Sequence, residues 1–328
     1  MYHYCTLFDS HYLTRGLAMW KSLERHCPSY HLYIFAFDDE SKEILVALEL
    51  SNVTVISLND FENERLLEVK PTRSKAEYCW TCTPSVIDYC IHTYGLSDCT
   101  YIDADLYFFS NPNVLIEEMG SKSVLITEHR YTKKYDQSAT SGIYCVQFIT
   151  FKNTSDGMTA LNWWKDRCIE WCYARKEDGK FGDQKYLDDW TTRFEGIHVL
   201  QNLGGGVAPW NVQQYQLSNI ENKVYLQPTG QRDELVFFHF HFIKFYPNNR
   251  VDLGDYTLHN PVLVNVYRPY LMEIMEIELM LKDRFGFERR TQKYFYKNAL
   301  MTQVHRFGRK LLGIYNLHKL NEINKWHI

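Results

Sequence analysis

The chain alternates short apolar runs with amphipathic segments over its first 60 residues. Apolar runs of strand length lie at 3–8, 31–37 and 53–57, and segments with helical spacing lie between them at 13–25 and 41–48. Strands that alternate with helices are typical of a parallel sheet covered by helices on both faces. The pattern therefore predicts an α/β fold built on a mostly parallel central sheet.

The alternation continues through the middle of the chain and changes towards its end. A long helix is predicted at 75–94, with Pro84 expected to kink or break it. Further strands are predicted at 100–109, 124–127, 143–151 and 236–242, and a further helix at 158–173. From Pro261 onward the pattern is helical and increasingly basic. We predict a sheet domain at 1–258 and a helical, basic C-terminal extension at 259–328.

Composition supports a large folded core and places the positive charge at one end. The chain has 328 residues, 45% of them hydrophobic, and a net charge of −4, which argues against general nucleic-acid binding. Residues 281–328 nevertheless carry 11 Lys or Arg against 3 Asp or Glu. This tail is expected to make peripheral contact with an anionic membrane, or else to be a packed helix with a solvated basic face.

The cysteines and the N-terminus indicate a cytoplasmic protein with reduced thiols. Nine cysteines are scattered along the chain, and the N-terminal residues have the pattern of a strand rather than of a signal peptide. No apolar run approaches the roughly 18 residues of a membrane span. Cys79 and Cys82 have C-x-x-C spacing but lie in a helical pattern, so we expect them to be buried structural cysteines.

Two carboxylates lie one residue apart within the apolar run 100–109. Burying a charge in such a run is costly unless the charge is paired or bound to a metal. In extended backbone, residues i and i+2 point the same way, so Asp103 and Asp105 are expected to reach one cation past small Ala104 at the end of a strand. Such oxygen ligands suit Mg²⁺ or Mn²⁺ shared with substrate phosphates, which points to a nucleotide-diphosphate substrate.

The segment 237–244 offers further ligands for the same cation. His239 and His241 would share one face of a strand, and imidazole combined with carboxylates favours Mn²⁺. Lys244 lies three residues after His241 and is expected to neutralise a diphosphate, which slightly favours His241 as the ligand. The alternative is that one of the two histidines is a hydrogen-bonded core residue.

Four segments, in this order, resemble those of GT-A fold nucleotide-sugar glycosyltransferases, and of the retaining family 8 enzymes in particular. They are Cys5–Tyr12, the Asp-x-Asp at Asp103–Asp105, Phe181–Leu187 and His239–Lys244. The last segment departs from the family pattern, because it has two histidines, no glycine, and Phe-Tyr-Pro after its lysine. This departure leaves the choice between the two histidines open.

The resemblance implies a role for several side chains. It assigns Asp9 and Tyr12 to the nucleotide base and ribose, Asp183 to the hydroxyls of the donor sugar, and Gln184 to the neighbourhood of the reacting carbon. Structural alternatives are a helix N-cap for Asp9 and a helix N-terminal carboxylate for Asp183.

Further roles follow from the same resemblance. Arg73 and Lys75 lie where the family has a cation near the donor phosphates and sugar, although either is equally an ordinary solvated charge. Residues 202–211 resemble the loop that completes the sugar and acceptor pocket. Its triplet Gly204–Gly206 is read as a flexible or tightly packed loop, not as a dinucleotide fingerprint, because Pro209 follows at once.

The resemblance implies a metal-dependent transferase. The expected reaction moves a hexose or N-acetylhexosamine from a UDP-sugar, with Mn²⁺ or Mg²⁺, to a glycan or lipid-linked acceptor, with retention of configuration. Bacterial lipopolysaccharide or other surface polysaccharide is the expected product class. One alternative is a non-catalytic sugar-nucleotide or glycan-binding protein. A nucleotide-sugar pyrophosphorylase is less favoured, because Phe8–His11 lacks a glycine-rich basic loop.

Overall fold

The computed structural model describes residues 1–227, 232–292 and 299–327, and within them the chain forms strands β1–β15 and α-helices α1–α12. The strands are Tyr2–Phe8, Tyr30–Ala36, Val53–Ser57, Asp98–Ile102, Leu106–Phe108, Val124–Glu128, Tyr144–Lys152, Ile197–Val199, Gln216–Ile220, Lys223–Gln227, Asp233–Glu234, Phe237–His239, Lys244–Tyr246, Arg250–Asp252 and Leu317–Lys319. The α-helices are Leu13–His26, Asp39–Leu48, Leu58–Phe61, Glu64–Val69, Lys75–Tyr94, Asn113–Glu118, Ser138–Ser141, Ser155–Glu170, Trp190–Arg193, Asn260–Val262, Arg268–Phe285 and Ala299–Leu311.

A seven-stranded sheet in the order β3-β2-β1-β4-β7-β6-β8 forms the centre of the molecule. Its strands run parallel except for β7, which pairs antiparallel with both β4 and β6. This arrangement confirms the predicted α/β fold with a mostly parallel sheet. The first three predicted strands and the first helix also agree with the structure to within one residue at each end.

Successive side chains of the strands pack alternately into two hydrophobic cores, one on each face of the sheet. On β1, Tyr4 and Phe8 pack on the face covered by α1 and α11, whereas Cys5 and Leu7 pack on the face covered by α5 and α8. This alternation is the period-2 pattern of a strand that is buried on both sides.

Helix α5 has the bounds that the sequence predicted. Ser74 and Glu77 form a capping box at its start, and Gly95, at φ 63°, ends it. Pro84 lies within the helix, so the predicted break does not occur. The helix packs across β1 and β4. Its N-terminus lies at the edge of the sheet where the candidate site is found.

The predicted strand at 100–109 is divided by a turn. Strand β4 ends at Ile102, residues 103–105 turn, and β5 then pairs antiparallel with β12. This pairing places His239 opposite Leu106, one residue from Asp105. The predicted strand at 236–242 is likewise too long, because β12 ends at His239 and His241 lies in the turn that follows.

The described part of the C-terminal region packs onto the sheet domain. Tyr270 and Leu271 of α11 and Ile323 lie in the same core as Tyr4. The predicted helices are present, but β15 was not expected, and it pairs with β14. Lys293 and Lys297 of the basic tail lie outside the described residues. The division of the chain at residue 258 stays a prediction.

Within residues 1–227, 232–292 and 299–327, no helix combines the length and the apolar character that crossing a bilayer requires.

The glycine triplet is tightly packed. A Cβ on Gly204 would lie 2.0 Å from the backbone oxygen of Glu234, so we expect Gly204→Ala to destabilise the protein by about 1–3 kcal/mol through forced backbone shifts. Chemical denaturation measures this change. Gly308→Ala is the matched control, because a Cβ there meets nothing within 4 Å and the position is helical, so that variant gains about 0.5–1 kcal/mol. Equal stability of the two variants would contradict the packing argument.

Candidate active site

A cavity of about 690 Å³ opens at the carboxyl ends of β1 and β4. This is the end of a parallel sheet where ligands of α/β proteins bind. Most of the side chains that the sequence singled out line it, namely Asp9, Tyr12, Lys75, Asp103, Ala104, Asp105, Asp183, Gln184, His239 and His241. Arg73 and Lys244 are absent from its lining.

The two carboxylates converge through a turn rather than through strand alternation. The N–H of Asp103 donates to the carbonyl of Gln147 at 3.0 Å, and the N–H of Leu106 donates to the carbonyl of Asp103 at 3.2 Å. The carbonyl of Asp105 accepts from the N–H of Phe240 at 2.9 Å, which ties the turn to the end of β12. The backbone thus holds both aspartates against the histidine that ends that strand.

His239 completes a group of three potential ligands. Its Nε2 lies 3.2 Å from Asp105 Oδ1 and 3.8 Å from Asp103 Oδ2, and one ligand atom from each residue lies within 4.8 Å of the others. On its other side, His239 Nδ1 donates to Oε1 of buried Gln147 at 2.7 Å. That hydrogen bond orients the ring with Nε2 towards the carboxylates.

The electrostatics of this group are those of two acids that share one positive neighbour. Burial and the nearby Asp105 raise the pKa of Asp103 to about 6. Burial also opposes ionisation of Asp105, but His239 holds the pKa of that carboxyl at about 2. Although burial alone would lower the pKa of His239, the carboxylates raise it well above its ordinary value.

The donor set fits a divalent cation. Two carboxylates and an imidazole nitrogen, with the second ring nitrogen fixed by a hydrogen bond, form a ligand set suited to Mn²⁺ or Mg²⁺. In the protein alone, an Nε2 proton offsets the carboxylate charge. A cation would replace this proton, so its binding weakens as pH falls.

The sequence preference for His241 does not agree with this geometry. His241 lines the cavity, with its ring centroid 5.9 Å from that of His239, but it is not part of the ligand group. The reason is that β12 ends at His239 and the backbone turns, with Phe242 at a φ of 72°. The two histidines therefore do not share a strand face.

Asp9 and Tyr12 lie where β1 leads into α1. The carboxylate of Asp9 accepts from the N–H of His11 at 3.0 Å. Asp9 does not cap the helix, because Tyr12 occupies the N-cap position. The Tyr12 ring is 41% exposed and lies 4.3 Å from the Arg15 guanidinium. An aromatic ring and a carboxylate are thus available to a ligand at this end of the cavity.

Asp183 and Gln184 enter the cavity from another side. The carbonyl of Asp183 accepts from the Trp164 indole N–H at 2.9 Å, which anchors the segment on α8. The side chain of Asp183 is 6% exposed, and burial together with Asp103 raises its pKa to about 7. A protonated Asp183 is able to donate a hydrogen bond to a hydroxyl group.

The raised pKa of Asp183 predicts a pH-dependent stability difference. Between its ordinary pKa of 3.8 and about 7, the folded state binds the extra proton, so wild-type stability falls as pH rises through this window. In EDTA we expect Asp183→Asn to gain stability relative to the wild type over that range, on the order of 4 kcal/mol in total. Urea denaturation at a series of pH values measures the difference.

Asp189→Asn is the control for this pH series, because Asp189 is half exposed and lies on the same segment. This variant keeps the buried Asp183 carboxyl, so its stability is expected to fall with rising pH as that of the wild type does. A difference between Asp183→Asn and the wild type that does not change with pH would contradict the assignment of the raised pKa.

The three predicted cations lie in different surroundings. Lys75 is exposed on the first turn of α5 and lines the cavity. Arg73 instead donates to the carbonyl of Ile169 at 3.1 Å and lies over the Tyr173 ring. Lys244 lies with its Nζ 3.9 Å from the centroid of the Phe242 ring. Lys75 is therefore the predicted cation with direct access to a ligand.

Sequence analysis named only part of the cavity wall: the loop 202–211, which the resemblance assigned to the pocket, supplies Trp210, whereas Tyr131 was missed. His129 stacks on Tyr131 with ring centroids 4.5 Å apart, and Trp210 packs edge-on against His129. Gln147, which orients His239, was also missed. Its signal is a polar residue within the otherwise apolar first part of β7, residues 144–149, since buried polar groups need partners. Tyr131 has no comparable signal.

Comparison with known sequences finds two relatives in Bacillus subtilis (strain 168). No family model matches the chain. The uncharacterized protein YfnF is 30% identical over 293 residues, which cover 86% of this chain and 96% of YfnF. The uncharacterized protein YfnD is 27% identical over 282 residues, which cover 83% of this chain and 88% of YfnD.

Solved structures resemble this chain only distantly. The apo form of mouse xyloside xylosyltransferase 1 aligns with a TM-score of 0.42 at 15% identity, covering 61% of this chain and 84% of that one. The galactosyltransferase LgtC, in complex with donor and acceptor sugar analogs, aligns with a TM-score of 0.41 at 13% identity, covering 60% of this chain and 72% of that one. Scores this low carry no conclusion about activity.

Proposed function

We propose that this chain, which belongs to the same family as YfnF, is a metal-dependent GT-A glycosyltransferase similar to the family 8 enzymes. The reaction would move a hexose or N-acetylhexosamine from a UDP-sugar to a glycan or lipid-linked acceptor, with retention. The observation that carries the proposal is the convergence of Asp103, Asp105 and His239 with Asp183 in one cavity.

Each part of the cavity has a task in this reaction. Asp103, Asp105 and His239 would hold Mn²⁺ or Mg²⁺, which supplies charge stabilisation for a departing diphosphate. Asp9 and Tyr12, at the end of β1, would bind the base and ribose. These groups fix the nucleotide, so that the sugar extends towards the part of the cavity that holds Asp183.

The donor sugar is assigned to Asp183 and Gln184. A largely buried carboxyl with a raised pKa is suited to exchanging hydrogen bonds with sugar hydroxyls. Because a protonated carboxyl is a poor nucleophile, we favour front-face attack by the acceptor hydroxyl over a covalent intermediate on Asp183 or Gln184. In that reaction the leaving phosphate would take the acceptor proton.

Positive charge and aromatic rings complete the proposed site. Lys75 is the cation we assign to the diphosphate, because it lines the cavity, whereas Arg73 and Lys244 would have to leave their present contacts. The aromatic wall of Tyr131 and Trp210 suits the apolar face of an acceptor sugar.

Nucleotide release from a panel of UDP- and GDP-sugars tests this function. With Mn²⁺ present, we expect slow release from one UDP-sugar, complete loss of release in EDTA, and faster release once the acceptor is added. Metal-dependent UDP binding without any turnover would favour a non-catalytic binding protein instead. Pyrophosphate-dependent formation of UTP from a UDP-sugar would identify a pyrophosphorylase.

Helix α12 has an exposed apolar face that suits contact with a membrane, where a lipid-linked acceptor would lie. Val304, Phe307 and Leu311 are 57%, 63% and 72% exposed, and their i, i+3, i+7 spacing places them on one helical face. Exposed Lys310 lies on the same helix. We propose that this apolar face, with Lys310 elsewhere on the same helix, contacts the anionic inner surface of a membrane. Arg309 takes no part, because its side chain is buried.

Vesicle co-sedimentation tests the membrane contact. We expect the wild type to bind vesicles containing anionic lipid, and Phe307→Ser/Leu311→Ser to bind at least about tenfold more weakly, since each lost apolar contact is worth of order 1 kcal/mol. Leu279→Ser is the control, because Leu279 is 70% exposed but lies on α11. Equal binding by both variants would contradict the proposal.

A further inference from the structure

A second cluster of ligand-type side chains lies outside the candidate active site. Cys5 of β1, Cys90 of α5 and Cys99 of β4 are each fully buried, and their three sulfur atoms lie within 4.8 Å of one another. None of the three lines the cavity described above. This cluster of three thiols therefore has no role in the proposed transfer reaction.

The topology of the sheet brings the three thiols together. Strands β1 and β4 are parallel neighbours, with Cys5 opposite Tyr101, so Cys5 and Cys99 point to the same face of the sheet. Cys90 reaches that face from α5, which packs across both strands. The thiols thus come from three separate elements, of which β1 is far in the sequence from the other two.

The spacing of the thiols suits a shared cation. Three sulfur atoms bound to one Zn²⁺ at 2.3 Å lie about 4 Å apart, which the observed cluster allows with little movement. All three thiols are present as free cysteines. Burial raises the pKa of Cys5 and Cys90, while hydrogen bonds from those two thiols hold the pKa of Cys99 below its ordinary value despite burial.

His3 lies beside this cluster. It is two residues before Cys5 on β1 and so points to the same face of the sheet. Its Nδ1 atom is buried and makes no hydrogen bond, and it lies 4.0 Å from Asp98 Oδ1. The ligand atoms that lie within 4.8 Å of one another are the three sulfurs, so His3 is a neighbour of the cluster rather than one of its ligands.

We propose that Cys5, Cys90 and Cys99 form a thiolate site for Zn²⁺. On loading, each thiol releases one proton to solvent, and three sulfur–metal bonds form without any change of oxidation state. The bound ion clamps β1, β4 and α5 together. Since β1 leads to Asp9 and β4 leads to Asp103, the clamp stiffens the two strands that position the candidate active site.

Cadmium titration of the reduced, metal-free protein tests this site, because Cd²⁺ bound to thiolates absorbs in the ultraviolet and Cd²⁺ bound to carboxylates does not. We expect the absorbance to rise to one equivalent per chain in the presence of excess Mg²⁺. The Cys99→Ala variant should lose this band. Cys168→Ala, which removes an equally buried thiol elsewhere, should retain it. No band in the wild type, or an undiminished band in Cys99→Ala, would overturn the proposal.

Native mass spectrometry of the wild type tests Zn²⁺ binding without requiring any variant to fold. After addition of Zn²⁺, we expect one ion to be bound with the loss of three protons from the thiols, plus any Zn²⁺ held at the carboxylate site. The loss of two hydrogens without bound metal, with the resulting disulfide mapped to two of these three cysteines by peptide digestion, would also overturn the proposal. Either result leaves the proposed transferase activity untouched.

Discussion

Asp103→Asn and Asp105→Asn are each expected to lower metal-dependent donor turnover by about 10³-fold. A bound cation contributes several kcal/mol of charge stabilisation, and each 1.36 kcal/mol corresponds to a factor of ten in rate. Each substitution removes a ligand charge from a group with three potential ligands among the described residues. The rate of nucleotide release at saturating Mn²⁺ measures the loss.

Asp103→Asn is expected to fold, whereas Asp105→Asn should lose some stability, because it removes the carboxylate that is paired with His239. In EDTA, burial and Asp105 already raise the pKa of Asp103, so replacing that carboxylate relieves a charge repulsion and leaves stability unchanged or slightly higher. Asp98→Asn is the matched control. Asp98 begins β4, the strand that ends just before Asp103, and it does not line the cavity. Full turnover by Asp103→Asn, or an equal loss in Asp98→Asn, would argue against a catalytic metal site.

Arg309→Met is expected to destabilise the protein by about 3–5 kcal/mol, because it leaves a buried carboxylate without its partner. Arg309 makes two parallel bonds to Asp252, at 2.6 and 2.7 Å, and both side chains are about one-tenth exposed or less. Its Nη2 also donates to the carbonyl of Gly254 at 2.8 Å. Urea denaturation measures the change.

Two further variants isolate this interaction. Lys310→Met, on the exposed side of the same helix, is expected to change stability by less than about 0.5 kcal/mol. Asp252→Asn/Arg309→Met should recover much of the lost stability, because it no longer buries an unpaired charge. If the double variant is as unstable as the single one, packing of the arginine stem explains the loss instead.

This ion pair also links the tail to the cavity. Asn316 donates to the carbonyls of Gly254 and Tyr256 at 2.8 and 2.7 Å, so the segment after β14 is held from the C-terminal side. Tyr256 lines the cavity. We therefore expect Arg309→Met to weaken acceptor use as well as stability.

Local signals were sufficient to predict β1–β3, α1 and α5. The bounds of α5 follow from a serine cap and a terminal glycine, which act within a few residues of the chain. The parallel strands follow from apolar runs that are buried on both faces. Such signals depend only on neighbours in the sequence.

The sequence predicted most of the residues of the candidate site but not the backbone geometry that brings them together. The Asp-x-Asp pair and a nearby histidine come together, but through a turn at 103–105 that pairs with β12, a contact between residues more than 130 positions apart. No local pattern ends β12 at His239 rather than beyond His241. The choice of histidine depended on that endpoint.

Long-range contacts also explain what the sequence could not reveal about charges. Arg309 appeared as one of many basic tail residues, yet it is buried against Asp252, 57 positions away. Lys244 lies near the site in sequence, but its side chain points to Phe242. The sequence gives the sign of a side chain's charge, whereas the orientation of that side chain depends on tertiary packing.

An anomalous difference map of crystals grown with Mn²⁺ and UDP tests the central claim most directly. The account predicts one manganese peak within bonding distance of Asp103, Asp105 and His239 Nε2, with the diphosphate on the same ion and the uracil ring near Tyr12. A map with no manganese at these residues, or with UDP bound outside the cavity, would contradict it.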